Sequence, residues 1–324
     1  MDVRTVLTGP FPRSEPLVAA TRDLDRGRAN PEAVEARFAE DERAVVALES
    51  RLGLDASTGG YLRWADLFRP FSEGWPGFTV GPVTRWFQTN TFFRQPILHA
   101  PPERTAGVVR AALPSANVVA PERANVILPG PFTFAGLLDN RSGETREALT
   151  HRFGRLLAED VRELRAAGYR LFQFQEPLLV VAPPTGPLAE ATIAAYRSLS
   201  EAAHGGTTVI WTYFGDAAPV QPLLHRLPVN VVGVDLAETE PEAIEPSPHH
   251  RGLGLGCLDP RTTLNEDAGE VARIATLVRD KGPLNELWLG PGGPLDLLPT
   301  EAAARKLDVL PATKKILDRP RGAS

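Results

Sequence analysis

The stretch "GYRLFQFQEPLLV", residues 168–180, decides how this chain is read. In an extended run, alternation puts Phe172 and Phe174 on one face and Gln173 and Gln175 on the other, and Pro177 stiffens the turn just after Glu176. An Ala-rich amphipathic pattern precedes the run at 144–167 and another comes after it at 187–204. A short strand between helices is one β-α unit of a parallel sheet, and the unit recurs along nearly the whole sequence.

The other strand candidates are "RTVLTG" (4–9), "GLDAST" (53–58), a run near 78–87, "ANVILPG" (124–130), "TTVIWTYF" (207–214), "VNVVGVDL" (229–236), "GLGLGCLD" (252–259) and "ELWLG" (286–290). Further helices are expected at 31–52, where a proline and acidic residues open the first turn, and at 264–281 and 300–317. Eight or nine strands suit an α/β fold closed as a (β/α)8 TIM barrel, one domain spanning 1–324. An open doubly wound sheet would want a Gly-rich phosphate turn after its first strand, and "LTGPFPR" has one glycine. Residues 70–102, rich in Pro, Gly and aromatics, fit no β-α unit and read as an insertion or lid.

Composition narrows the function. The chain has 324 residues, 43% hydrophobic and 23% charged, with net charge -5. Its basic residues are scattered, which argues against nucleic acid as a partner. No apolar run approaches the roughly 20 residues of a membrane span. The opening "MDVRTVLTGPFPRSEP" lacks a signal-peptide core, so a cytoplasmic location and a small-molecule substrate are expected. The lone cysteine, Cys257, excludes a multi-thiolate metal site and reads as a core residue; His249 and His250 read as a solvated turn.

Barrel enzymes carry their chemistry at the C-terminal ends of the strands. Those positions hold Arg13, Arg63, Asp66, Gln175, Glu176, Tyr213, Asp216, Asp235 and Asp259. Asp216 and Asp259 are read first as helix or turn caps. Glu176 precedes a proline and an apolar run, so it reads either as an acceptor for an amine or a travelling proton, or as a buried partner of an arginine. "RWFQTNTFFRQP" (85–96) interleaves aromatics with Arg85, Asn90 and Arg94 and reads as lid packing or a platform for a planar ring. "ELWLGPGGPLDLLP" (286–299) runs from a strand into a Gly-Pro turn and supplies no reactive side chain at the strand end.

In order along the chain, "VLTGPFPR", "STGGYLRWADLF", "ILPGPFTF", "FQFQEPLL", "TYFGD", "GCLDPRT" and "LGPGGPLDLLP" resemble the cobalamin-independent methionine synthase family over residues 4 to about 300. The resemblance implies a (β/α)8 barrel whose mouth holds zinc through His, Cys, Glu and Cys and activates a thiol for methyl transfer from a folate or a corrinoid protein partner. Here "IWTYFG" has neither His nor Cys, Asp235 stands at the Glu position, and Gly293 falls at or beside the last Cys position; no metal is expected. Pro10 replaces a family serine and Gln175 a family aspartate. The family pattern keeps Arg13, Arg63, Asp66, Glu176 and Asp259. Glu176 and Asp235 are the catalytic candidates; Arg13, Arg63, Asp66, Gln175, Tyr213 and Asp259 are the substrate-binding ones. The expectation is a zinc-free methyl or alkyl transferase of the methionine synthase class. The alternatives are a non-catalytic binding or scaffold barrel like the amino-terminal half of the long enzymes, and a uroporphyrinogen-decarboxylase-like enzyme with arginines at its mouth.

Overall fold

A computed structural model describes residues 1–89 and 91–319; Asn90 lies outside them. In chain order the strands are β1 (Asp2–Thr5), β2 (Phe78–Arg85), β3 (Phe92–Leu98), β4 (Asn125–Pro129), β5 (Asp139–Asn140), β6 (Leu171–Gln175), β7 (Thr207–Trp211), β8 (Val231–Asp235), β9 (Gly252–Leu258) and β10 (Glu286–Pro291). One curled sheet takes the order β1-β10-β9-β8-β7-β6-β4, with every neighbouring pair parallel.

The eighth position is filled without a regular strand. Asp55 donates its N–H to Thr5 O at 2.8 Å, Ser57 bridges Ala124, and Asn125 N–H reaches Ser57 O at 2.8 Å. The segment 55–58 thereby joins both edges of the sheet and closes the barrel. It is pinned by Glu49, buried on the helix Pro31–Arg51, whose carboxylate accepts from Thr58 N (2.9 Å), Thr58 Oγ1 (2.8 Å) and the Ser57 hydroxyl. "GLDAST" thus occupies the expected place but is too irregular for more than one bridge. The expected run at 78–87 is a strand of a different kind. It is β2, which pairs with β3 as an antiparallel hairpin in a separate three-stranded sheet with β5.

Helices cover the barrel where the sequence periodicity places them: Pro31–Arg51, Arg146–Ala166, Gly186–Ala202 and Ala268–Arg279. Asn30, Thr145 and Asp267 cap three of these through their side chains, satisfying first-turn N–H groups. The expected helix at 300–317 is two, Thr300–Leu307 and Val309–Leu317, interrupted at Asp308.

Trp211, fully buried, fills much of the barrel interior and donates Nε1–H to Pro291 O at 3.1 Å. Its ring explains two glycines. A Cβ on Gly233 would fall 2.3 Å from the ring and one on Gly254 2.5 Å from it. The glycines of "GLGLG" are therefore the counterpart of a large indole, not a phosphate-binding turn. Cys257 is buried in the same strand and its thiol is pushed up to about 12 by burial.

Gly254→Ala is expected to destabilise the protein by about 1–3 kcal/mol through overpacking, and a second change, Trp211→Leu, to recover part of that loss. Urea denaturation of the two single variants and the double variant measures the coupling; strictly additive losses would show that the indole does not set the glycine.

Candidate functional site

At the C-terminal ends of the strands the hairpin β2-β3 roofs a cleft of about 670 Å³ with its opening counted. Its floor is Ile127, Gln175 and Tyr213 from β4, β6 and the turn after β7, and its walls are mostly aromatic: Tyr61, Trp64, Trp86, Phe92 and Phe93. Tyr61 and Trp64 pack edge to face with centroids 5.1 Å apart, and Trp86 and Phe93 do the same at 5.2 Å. Phe87, near the hairpin tip, meets Phe214 across the mouth at 6.0 Å, which ties the roof to the barrel.

Three polar groups give this cleft its chemistry. Gln175 donates Nε2–H to Thr8 O, and because a carbonyl only accepts, the amide is oriented with Oε1 left over. That Oε1 is buried and has no partner among the described residues. Tyr213, 1% exposed, lines the cleft with a hydroxyl that burial keeps well above its ordinary value, so it stays protonated. Asp296 enters from the turn Leu295–Leu297 after β10, held there by Leu295 N–H and Asp296 N–H on Pro10 O at 3.1 and 3.2 Å. Its carboxyl is accessible from the cleft, yet protein stands around it. Desolvation pushes it up to about 6, against pulls downward from its own backbone N–H and from Arg13.

Asp296 corrects the expectation that the segment after β10 supplies no reactive side chain. Its signal is in "PLDLLP": a lone charge between apolar residues three positions past the Gly-Gly turn. Asp66 also lines the cleft, but its carboxylate is taken by Arg69 at 3.0 Å, Phe68 N–H at 3.0 Å and Arg94 N–H at 3.3 Å.

The other sequence candidates are placed differently. Glu176 is fully buried beneath the floor. Its carboxylate accepts from Phe132 N–H (3.0 Å), Thr133 N–H (2.8 Å), Thr133 Oγ1 (2.6 Å) and Tyr196 OH (3.0 Å). The first two are first-turn donors of the helix Pro131–Leu137, whose N-cap residue, Gly130, has no side chain to offer. A Cβ on Gly130 would lie 2.1 Å from Glu176 Cδ, so the glycine makes room for a cap supplied from the next strand. Glu176 therefore caps a helix and does not line the cleft; Arg146 feels its charge but, among the described residues, no arginine reaches ion-pair distance. Burial pushes it up to about 7.

Asp235 accepts Ala237 N–H at 3.0 Å and Phe214 N–H at 3.3 Å, and burial pushes it up to about 6; it holds two turns together and does not line the cleft. Arg63 lies outside the mouth, paired with Glu42 and Glu35 at 2.7 Å each and stacked over Phe38. Asp259 accepts from Arg261 N and Nε at 2.9 Å, a local turn, and Asp216 caps Ala218 N–H at 2.9 Å. Arg13 lines a neighbouring groove and donates to Leu62 O at 2.7 Å. With no basic side chain on the cleft itself, the decarboxylase-like reading gains no support.

The zinc chemistry that the fold family implies needs soft or imidazole donors. At the positions where the family carries them, the ring of Tyr213 packs beside Gly293, whose Cβ would stand 3.5 Å from it, and Asp235 is spent on backbone N–H groups. Among the described residues no group of three or more His, Cys, Asp or Glu is arranged to hold a metal. This set does not fit a zinc ion.

Fold and site together describe a parallel (β/α)8 barrel with a roofed, aromatic-walled cleft at its C-terminal mouth. Residues 71–281 match the sequence profile described as cobalamin-independent synthase, N-terminal domain, and the chain belongs to that family. It is 25% identical over 309 residues to a methionine synthase of Sulfurisphaera tokodaii, covering 94% of this chain and 89% of that one. It is 32% identical over 167 residues to a 5-methyltetrahydropteroyltriglutamate–homocysteine methyltransferase of Herpetosiphon aurantiacus, covering 52% of this chain and 22% of the relative. The fold matches that of a B12-independent methionine synthase from a Shewanella species, with TM-score 0.72, 19% identity and 97% of each chain covered. A cobalamin-independent family gives no support to a corrinoid protein partner. No helix among the described residues is long and apolar enough to cross a membrane.

Both oxygens of Glu176 receive a backbone N–H, so in Glu176→Gln either amide orientation sets an NH2 against a donor that cannot turn away. The variant is expected to lose about 1–3 kcal/mol of stability in chemical denaturation. The raised carboxyl also means that wild type loses stability as pH rises from about 4.5 through about 7, a slope that is shallower in the variant, where the other raised carboxyls still titrate. Wild-type-like stability with the slope unchanged would refute the capping role.

A second expectation concerns Asp296. Its carboxyl carbon, followed by NMR, titrates near 6, and Arg13→Met moves the midpoint upward because a positive neighbour is lost. A midpoint near 4 in the wild type would show the cleft to be freely hydrated.

Proposed function

We propose that the barrel mouth binds a small molecule and carries out methyl or alkyl transfer without the family zinc. Family membership supports transfer as the reaction, and the observation that carries the reading to this site is the roofed cleft whose floor holds the unpaired Gln175 Oε1 beside Tyr213 and Asp296. The chemistry available there is proton acceptance and positioning. A thiol, amine or hydroxyl that takes an alkyl group must lose a proton, and a carboxylate with its midpoint near 6 is suited to receive it at neutral pH. Tyr213, held protonated, donates a hydrogen bond to the acceptor or to the departing group. The aromatic walls exclude water and hold two reactants in line. The Herpetosiphon relative's name points to a folate as one methyl donor.

A second reading, a binding barrel without chemistry, is favoured by one observation: the two carboxylates that the sequence nominates for catalysis, Glu176 and Asp235, are both spent on backbone donors.

Incubation with methyl-labelled donors of three classes, a methyltetrahydropteridine, a methylated ammonium and a methylated sulfonium, each with a thiol acceptor, separates the two. Transfer above the uncatalysed rate that falls at least tenfold in Asp296→Asn supports the enzyme; saturable binding without transfer supports the binding barrel.

A further inference from the structure

We infer that the cleft takes a small organic cation carrying methyl groups, of the quaternary ammonium or sulfonium class, with Asp296 as its counter-charge. The inference rests on reading the cleft as a small-molecule site.

Charge is the first argument. The described lining residues include two carboxylates, Asp66 and Asp296, and no Lys, Arg or His. Asp66 is neutralised by Arg69 at 3.0 Å. Asp296 makes no ion pair among the described residues, and the nearby Arg13 directs its guanidinium to the carbonyls of Leu62 and Trp64. With no ion pair of its own and Arg13 only nearby, the Asp296 carboxylate gives the mouth a negative group that favours a positive guest over an anionic one.

The walls are the second argument. The ring planes of Tyr61 and Trp64 meet at 67° and those of Trp86 and Phe93 at 78°. These rings line the cleft, and the negative face of an aromatic ring attracts a cation. A flat neutral ring would use one wall and leave Asp296 without a counter-charge.

The floor is the third argument. Gln175 is 1% exposed, locked by Thr8 O, and lines the cleft with an unpartnered Oε1. Its amide is neutral and its free oxygen lies buried below the floor, so the floor brings no positive charge to oppose a cationic guest.

The test is calorimetry on the intact protein with tetramethylammonium and choline as cationic probes and 3,3-dimethylbutan-1-ol as the neutral isostere of choline. Saturable binding of a cation at least tenfold tighter than the isostere is expected, with that preference lost in Asp296→Asn and kept in the control Asp23→Asn. Cation affinity should also fall as pH drops through about 6, as Asp296 takes up a proton within reach of Arg13 and Tyr213. Equal binding of the isostere, indifference to Asp296→Asn, or no binding of either cation at millimolar concentration overturns the inference. Transfer from the labelled methyltetrahydropteridine alongside such a result would show that alkyl transfer stands and only the cationic guest is wrong.

Discussion

Closure of the barrel depends on one buried carboxylate. Between the sheet edges β1 and β4 the described residues place no regular strand, only the segment 55–58, and an irregular backbone in that position leaves polar groups that a ladder would otherwise satisfy. Glu49 answers for them, taking the N–H and hydroxyl of Thr58 and the hydroxyl of Ser57. Burial raises its pKa, the cost of holding a charge there, while four hydrogen bonds to it pull the other way. The residues just beyond the segment inherit that placement. Tyr61, with its positive φ of 53°, and Trp64 enter the mouth as cleft walls because the stave before them is fixed.

Glu176 repeats the device two strands further on, where a carboxylate at a strand end caps the helix after the neighbouring strand. Asp235 does so for two turns. These groups knit the loops of the mouth to one another, and a floor so tied presents Gln175 and Tyr213 in fixed positions. Framework and site draw on the same motifs. A family-like frame is compatible with Tyr213, Asp235 and Gly293 at the positions where the resemblance implies metal donors.

Strands are legible in the sequence where burial on both faces or strict alternation leaves a mark. The runs at 169–174, 207–214, 229–236, 252–259 and 286–290 all contain the strands observed, give or take a residue or two at the ends. Features that depend on distant partners stay hidden. The eighth stave is held by a glutamate on another element, and β2 looks like a barrel strand until its antiparallel partner is seen. Carboxylates at strand ends read as chemistry, whereas a helix in need of a cap has the prior claim on Glu176; the clue is Gly130, an N-cap residue with nothing to cap with. Asp296 escapes a reading of strand ends because it lies five residues past Pro291 and reaches the mouth only through the bonds of its turn to Pro10.

The Gly-Pro turn that precedes Asp296 has a physical purpose of its own. Gly292 lies where a Cβ would come 2.5 Å from Asp235, and Gly293 beside the ring of Tyr213. A side chain at Gly292 would collide with Asp235, while one at Gly293 would pack in ordinary contact with the Tyr213 ring. With glycines there, the backbone packs flat against Tyr213 and Asp235, and the next polar side chain the chain can project is Asp296, on the cleft side. Where a bound metal ion would place positive charge at the floor, this mouth presents the Asp296 carboxylate at its wall and neutral groups, Gln175 and Tyr213, beneath. The field inside the cleft then favours a guest of positive sign, and the ring faces around it act in the same direction.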